Sequence, residues 1–165
     1  MTGTENRRKR FIIQSLLMGL FCSAVGIGMG FFVWKTAIGK GYEVMPILAG
    51  TSSFLVGSSL WYLLVVRKPA ITVKRGFFTG LLITLVSHYF TFYLYILSAN
   101  ISYWILGNRG GSFEPPGDPL NGIWGALGLT LWSLLFFGWL TVPLGATIGA
   151  FYGWYLKHKQ ISPLP

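Results

Sequence analysis

The stretch that decides the fold is GFFTGLLITLVSHYFTFYLYILSANISYWIL, residues 76–106. It contains no Asp, Glu, Lys or Arg, and it directly follows Lys74 and Arg75. As an α-helix this stretch would be about 46 Å long, whereas the hydrocarbon core of a bilayer is about 30 Å thick. It therefore predicts a membrane-spanning helix at about 76–98, whose last residues continue into the headgroup region.

Three more apolar stretches predict spans at about 11–34, 45–66 and 124–156. Each is long enough to cross a bilayer once. The last one contains Pro143, which predicts a kink, but no polar turn divides it into two crossings. The connection 107–122 is rich in Gly, Pro, Asn and Asp, as turns are. The whole chain, 1–165, is thus predicted to be a single integral membrane domain, an all-α four-helix transmembrane bundle with short loops.

Composition agrees with this class of protein. Hydrophobic residues make up 53% of the chain and charged residues 10%, against about 25% charged residues in soluble domains. This balance excludes a soluble globular domain. The net charge of +9 does not indicate nucleic-acid binding, because the basic residues form short runs between apolar stretches.

The basic residues predict the orientation of the spans. Ten of the 13 Lys and Arg residues lie near the two termini or between spans two and three. Cytoplasmic flanks carry the excess of Lys and Arg. We therefore expect both termini in the cytoplasm and the loop 107–122 on the outer side, in a bacterial cytoplasmic (inner) membrane or an equivalent internal membrane.

His88 is the one ionisable residue predicted near the middle of the bilayer. Such residues are costly and usually functional. Thr84, His88, Thr91 and Tyr95 recur at spacings of four, three and four, which places them on one helix face. Two interpretations remain open for this polar face. His88 is either a neutral hydrogen-bonding partner of another span, or a group for proton transfer or for metal or pigment ligation.

Other reactive groups are poorly placed. All four acids, Glu5, Glu43, Glu114 and Asp118, lie in a tail or a loop. The single cysteine, Cys22, lacks further strong ligands at the spacing of a metal site. We therefore expect no catalytic residue, no metal and no cofactor, and a protein that is not an enzyme.

Glycines at intervals of four form a second pattern. Such spacing lets helix backbones approach closely in lipid. The predicted helix-packing residues are Gly26 and Gly30 in span one, and Gly138, Gly145, Gly149 and Gly153 in span four. These faces could pack within the chain, with spans one and four as natural neighbours, or against another protein.

These features leave three functional hypotheses. The first is a non-enzymatic accessory, assembly or regulatory subunit that acts through helix–helix contacts with a membrane-protein partner or with itself. The second is a small homo-oligomeric carrier or channel, with the His88 face lining its path. The third is an intramembrane enzyme, although the sequence reveals no catalytic pair. No nucleic-acid partner is expected.

Overall fold

A computed structural model describes residues 3–38, 41–68, 70–107, 116 and 118–161. Within these residues the protein is all-helical, with 87% of them in helices and no strands. The helices are α1 (Gly3–Thr36), α2 (Met45–Trp61, continued by a π-helical turn at Tyr62–Val66), α3 (Val73–Trp104), α4 (Gly122–Ser133) and α5 (Trp139–Ile161). A π-helical segment, Leu134–Gly138, joins α4 to α5 in one continuous span.

Four of these helical stretches are long and apolar enough to cross a membrane: 8–36, 45–66, 73–104 and 122–159. The predicted all-helical class with four apolar helices is therefore confirmed. Large apolar side chains cover the outer surface of the bundle; Ile47, Leu135 and Trp139 are each at least 70% exposed. A surface of this kind fits contact with lipid.

Two helices extend beyond their predicted spans. In α1, the extra turns at the start contain an exposed ion pair of Lys9 and Glu5 at 2.8 Å, of the kind that stabilises a solvated helix. In α3, the predicted span ends at residue 98, but the helix continues to Trp104. In this extension the Asn100 side chain donates to the Ile96 carbonyl at 3.0 Å.

Consecutive spans run antiparallel. The end of the bundle where α1 begins, α5 ends and α2 is followed by α3 is called the termini end here, and the opposite end, where α1 and α3 end and α2 and α4 begin, the loop end. A Cβ on Gly30 would contact Pro46, so α1 and α2 meet closely. A Cβ on Gly76 would overlap the backbone of Gly149, so α3 and α5 meet equally closely.

Spans one and four meet through side chains. The Tyr152 hydroxyl donates to the Gln14 carbonyl at 3.1 Å, and the Tyr152 ring lies 5.9 Å from that of Phe21. The glycine faces of these two spans are directed at other helices, α2 and α3. The expectation of spans one and four as neighbours therefore holds for aromatic contacts, but their glycines do not form that contact.

Apolar side chains fill the termini end of the bundle. This termini-end cluster consists of Met18, Val56, Trp61, Val65, Val66, Ile71, Ile83, Tyr152 and Leu156. Trp61 is fully buried, with its ring 5.3 Å from that of Tyr152. The cluster closes the space between the helices on this side of the bundle.

Candidate functional site

His88 connects α3 to both parts of the last span. Its Nδ1 lies 2.9 Å from the Ser133 hydroxyl, at the end of α4. Its Nε2 lies 3.0 Å from the Thr141 hydroxyl, on α5. Both ring nitrogens are therefore hydrogen-bonded to another span.

One tautomer of a neutral imidazole satisfies every group of this network. When the Thr141 hydroxyl donates to the Phe137 carbonyl, 3.0 Å away, it accepts the hydrogen bond from Nε2–H of His88. Nδ1 is then an acceptor, to which the Ser133 hydroxyl donates.

The π-helical segment brings Ser133 and Thr141 to the same face. The two residues are eight positions apart, whereas two turns of α-helix hold about 7.2 residues. The segment Leu134–Gly138 lies between them, and π-helical turns accommodate an additional residue. Neither Ser133 nor Thr141 was predicted as a partner of His88, because contacts between separate spans leave no signal in the residue spacing along one helix.

A cavity of about 110 Å³ lies beside His88, among all four spans. Its polar wall consists of Ser53, Thr84, Ser87, His88, Thr91, Ser133 and Thr141. The rest is mostly apolar and includes Val25, Phe92 and Phe137. This central cavity has room for several waters or one small organic molecule. Among the described residues that line it, none carries a formal charge.

Three of the four residues of the predicted polar face lie together at one cavity, and the fourth does not. Thr84, His88 and Thr91 line the central cavity. Tyr95 does not line it. Its ring stacks on that of Tyr42 at 6.2 Å with nearly parallel planes, beside the connection from α1 to α2. Tyr95 is thus placed near the loop end.

Ser87 lines the same cavity and was not singled out from the sequence. Its side chain is 6% exposed, and its hydroxyl has no hydrogen-bond partner within the described part of the chain. Thr84 and Thr91, on the same helix, donate to the carbonyls of Gly80 and Ser87, four residues back. The Ser87 hydroxyl does not make this bond. The sequence offered one indication that Ser87 lies near the site, namely its position next to His88.

The predicted packing glycines lie at two separate helix contacts. A Cβ on Gly26 would lie 2.5 Å from the Ala49 carbonyl oxygen of α2, and Gly30 makes a similarly close contact there. Gly145 and Gly149 lie directly against α3. A Cβ on Gly153 would make only ordinary contacts with α3, at 3.4 Å and beyond.

The α3 side of the second contact consists of Gly76 and Gly80, four residues apart. Sequence analysis did not name them, although their spacing follows the same rule. Gly138 lies apart from both contacts, because a Cβ there would meet Leu134 of its own span.

No group of three or more His, Cys, Asp or Glu side chains converges in the described part of the chain. Cys22 lines the central cavity. Glu114 and Arg109 fall outside the described residues. The chemistry available at the cavity is accordingly that of hydroxyls, one imidazole and one thiol.

No protein-family model, no curated protein and no solved structure matches the chain.

Proposed function

We propose that this protein is a non-enzymatic, multi-pass membrane protein that binds a small molecule in the central cavity. The supporting observation is that the face around His88 lines a cavity to which all four spans contribute residues. Small-molecule sites are concave and mostly apolar, with a few placed polar groups, and bundles hold them between helices. The central cavity fits this description.

In the proposed orientation both termini face the cytoplasm of a bacterial inner membrane or an equivalent internal membrane. Single cysteines in place of the exposed Ile38 and Lys68, at opposite ends of the bundle, test it once Cys22 is replaced. A membrane-impermeant maleimide applied to intact cells should label the cysteine at 38 and spare the one at 68. The reverse pattern, or labelling of both, contradicts the orientation.

Catalysis by Ser133 is not expected, because His88 has no acidic partner among the described residues of the cavity wall. The Ser133 and His88 pair has the geometry of a nucleophile and a base. However, Nε2 of His88 bonds to the Thr141 hydroxyl and not to a carboxylate, and no described wall residue is acidic. A fluorophosphonate probe should therefore leave Ser133 unmodified. Modification of Ser133 that disappears in His88→Ala would contradict the proposal.

An accessory or regulatory role is compatible with ligand binding. The glycine contacts of the described helices join α1 to α2 and α5 to α3 within one chain. A membrane-protein partner or a second copy would then use another surface. In such a role the bound molecule would act by stabilising one arrangement of the four spans.

A carrier is the second candidate, and the irregularity of the last span favours it. The π-helical segment and Pro143 both lie in this span, near the cavity. Transporters commonly bind substrates where helices are interrupted near the membrane midplane. The termini-end cluster closes one side of the cavity, so transport would require this cluster to open. Uptake into proteoliposomes that requires the cavity would favour the carrier over simple binding.

Filling the cavity tests the binding function directly. Val25→Phe adds bulk to the cavity wall, and Leu20→Phe adds similar bulk to an exposed position of the same helix, 56% exposed. Native mass spectrometry after extraction in mild detergent should detect a stoichiometric small-molecule adduct on the wild type and on Leu20→Phe. Val25→Phe should lack it.

Two outcomes would contradict the binding function. One is a wild-type protein that carries no adduct and shows no saturable binding of small neutral compounds. The other is an adduct that Val25→Phe retains at the wild-type level, because the ligand would then occupy a different place.

A further inference from the structure

One side of the bundle lacks close backbone packing. α1 packs against α2, α2 against α3, and α3 against the last span, whereas backbone packing between α1 and the last span is nearly absent in the described helices. These two spans meet through aromatic rings at two levels. Towards the termini end, Phe21 contacts Tyr152 with ring centroids 5.9 Å apart. Towards the loop end, Phe32 contacts Phe137, also at 5.9 Å. The interval between these two ring pairs is called the lateral gap here.

The central cavity lies at the depth of the lateral gap. On α1, Val25 and Met29 line the cavity and lie between the two ring pairs in sequence. On the last span, Thr141 and Ile148 do the same. Along α1 the ring pairs are 11 residues apart, which is about 16 Å of helix. The cavity therefore lies behind the lateral gap, on the inner side of the bundle.

Gly28 leaves the outer edge of the lateral gap open. It lies seven residues after Phe21 and four before Phe32, and this spacing places the three residues on one face of α1. A Cβ at Gly28 would meet nothing within 4 Å. No described side chain of the last span therefore covers Gly28, although aromatic contacts join the two spans on either side of it.

The lateral gap opens towards the hydrocarbon core of the membrane. Residues 21–32 and 137–152 contain no Asp, Glu, Lys or Arg and lie within two of the four apolar spans. Elsewhere the helices meet closely, at Gly30 between α1 and α2 and at Gly76 between α3 and α5. The termini-end cluster fills the space between the helices at one end of the bundle. A molecule dissolved in lipid thus has a short route to the cavity between α1 and the last span.

We propose that the central cavity receives its ligand sideways from the lipid, through the lateral gap, and that this ligand is a neutral, mostly apolar molecule that dissolves in the hydrocarbon core. A neutral ligand fits because the described wall offers no charged side chain and an unpaired charge is very costly to bury. The same cost keeps charged molecules out of the hydrocarbon core. This inference rests on the proposed binding function, and it adds the ligand class and the route of entry.

Fluorobenzene is a suitable probe, because it is small, neutral and soluble in lipid. Fluorine NMR of the purified protein in lipid nanodiscs measures its saturable binding and the rates of association and dissociation. Gly28→Trp places a large ring at the open edge of the lateral gap. Gly128→Trp is the matched control: a Cβ at Gly128 also meets nothing within 4 Å, and Gly128 lies on the exposed face of α4, opposite the buried Ala126 and Thr130.

Gly28→Trp should slow association and dissociation together, by about tenfold or more, because about 1.4 kcal/mol of added barrier already slows a rate tenfold. The Kd should stay close to the wild-type value, since an obstacle on the route changes both rates by the same factor. Gly128→Trp should exchange the probe as the wild type does. A substitution that damaged the cavity itself would change the Kd instead.

Phe32→Ala tests the same route in the opposite direction. It removes one of the rings that bound the lateral gap, so both rates should rise while the Kd changes little. Phe31→Ala removes a ring of similar exposure that packs on Trp34 of its own helix, and it should change neither rate. This pair decides the matter if the side chain introduced by Gly28→Trp enters the cavity and abolishes binding.

Two failures can be told apart. If Gly28→Trp and Phe32→Ala both exchange fluorobenzene at wild-type rates, the ligand enters elsewhere, for example from water at the loop end. The lateral route is then wrong, while the cavity remains a binding site. If fluorobenzene shows no saturable binding to the wild type, the proposed binding function itself is contradicted.

Discussion

The two ends of the bundle use the same four spans in opposite ways. At the termini end the helices meet backbone to backbone at Gly76 and Gly149, and apolar side chains such as Trp61 fill the remaining space. Towards the loop end α1 and α2 still meet closely at Gly30, but α3 and the last span separate around hydroxyls and one imidazole, and a cavity remains. Residue size explains the difference between α3 and the last span, because glycines let these helices touch at one end while His88 and its hydroxyl partners bridge a wider gap at the other.

Stability and ligand binding are expected to depend on different regions of the bundle. In a bundle surrounded by lipid, close packing and interhelical hydrogen bonds supply the association energy. The termini end relies on the first of these, and the cavity region relies on the second. We therefore expect substitutions at the termini end to affect stability most, and substitutions around the cavity to affect binding most.

The largest effect should follow from Gly149→Leu. A Cβ at this position would already overlap the Gly76 carbonyl oxygen, so a leucine must force α5 away from α3. Overpacking typically costs about 1–3 kcal/mol where side chains can adjust; here backbone opposes backbone, and we expect about 3 kcal/mol or more. Thermal unfolding in detergent measures it.

Gly28→Leu is the matched control, because a Cβ at Gly28 meets nothing within 4 Å. It should leave the unfolding temperature nearly unchanged. Equal behaviour of the two variants would mean that the tight contact of α3 and α5 does not stabilise the termini end.

His88→Leu should have an intermediate effect. It removes two hydrogen bonds to the last span and leaves the Ser133 hydroxyl without its partner. Single interhelical bonds in lipid average about 0.6 kcal/mol and reach about 1.7 kcal/mol, so the expected loss is about 1–3 kcal/mol. His88→Gln retains a donor and an acceptor and should recover most of it. The free energy of unfolding in mixed micelles is the measurement.

A double-mutant cycle of His88→Leu with Ser133→Ala sharpens this prediction. Because the two residues share one bond, their effects should be less than additive. Full additivity would show that the bond contributes nothing to stability. If His88→Gln folds normally but loses the bound molecule, His88 does more than connect α3 to the last span.

The smallest effect on stability is expected for Ser87→Ala. Its hydroxyl makes no bond in the described chain, so removing it should change the free energy of unfolding by less than about 0.5 kcal/mol, or increase it slightly. Ser52→Ala should cost about 0.5–1.5 kcal/mol, because it loses the bond to the Leu48 carbonyl. Chemical denaturation of the ligand-free proteins distinguishes them. A larger loss for Ser87→Ala would reveal a structural role.

Much of this arrangement could be predicted from the sequence because it depends on local patterns. Apolar length predicts the four helices, and the spacing of Thr84, His88 and Thr91 places them together. Tertiary contacts could not be predicted in this way. The glycine spacing in α5 does not reveal that its partners are Gly76 and Gly80, since many helix faces in lipid could accept it.

The hydrogen bonds of His88 illustrate the same limit. Ser133 and Thr141 would lie about 80° apart around a regular α-helix, and the π-helical segment between them brings the two side chains closer to one direction. The cavity beside His88 is likewise formed by residues of four separate spans. Neither feature has a signal in a single sequence read with a constant helical period.

The π-helical segment also restricts how the chain can change in length. Removing one residue from 134–138 would rotate everything after it by about 100° relative to everything before it. Gly122 on one side, which approaches Ile96, and Gly149 on the other, which approaches Gly76, could then no longer both reach α3. Insertions and deletions should thus be tolerated in the connection 105–121 and rejected here. A distant homologue should be recognisable by the fixed interval between Ser133 and Thr141 even where few other residues agree.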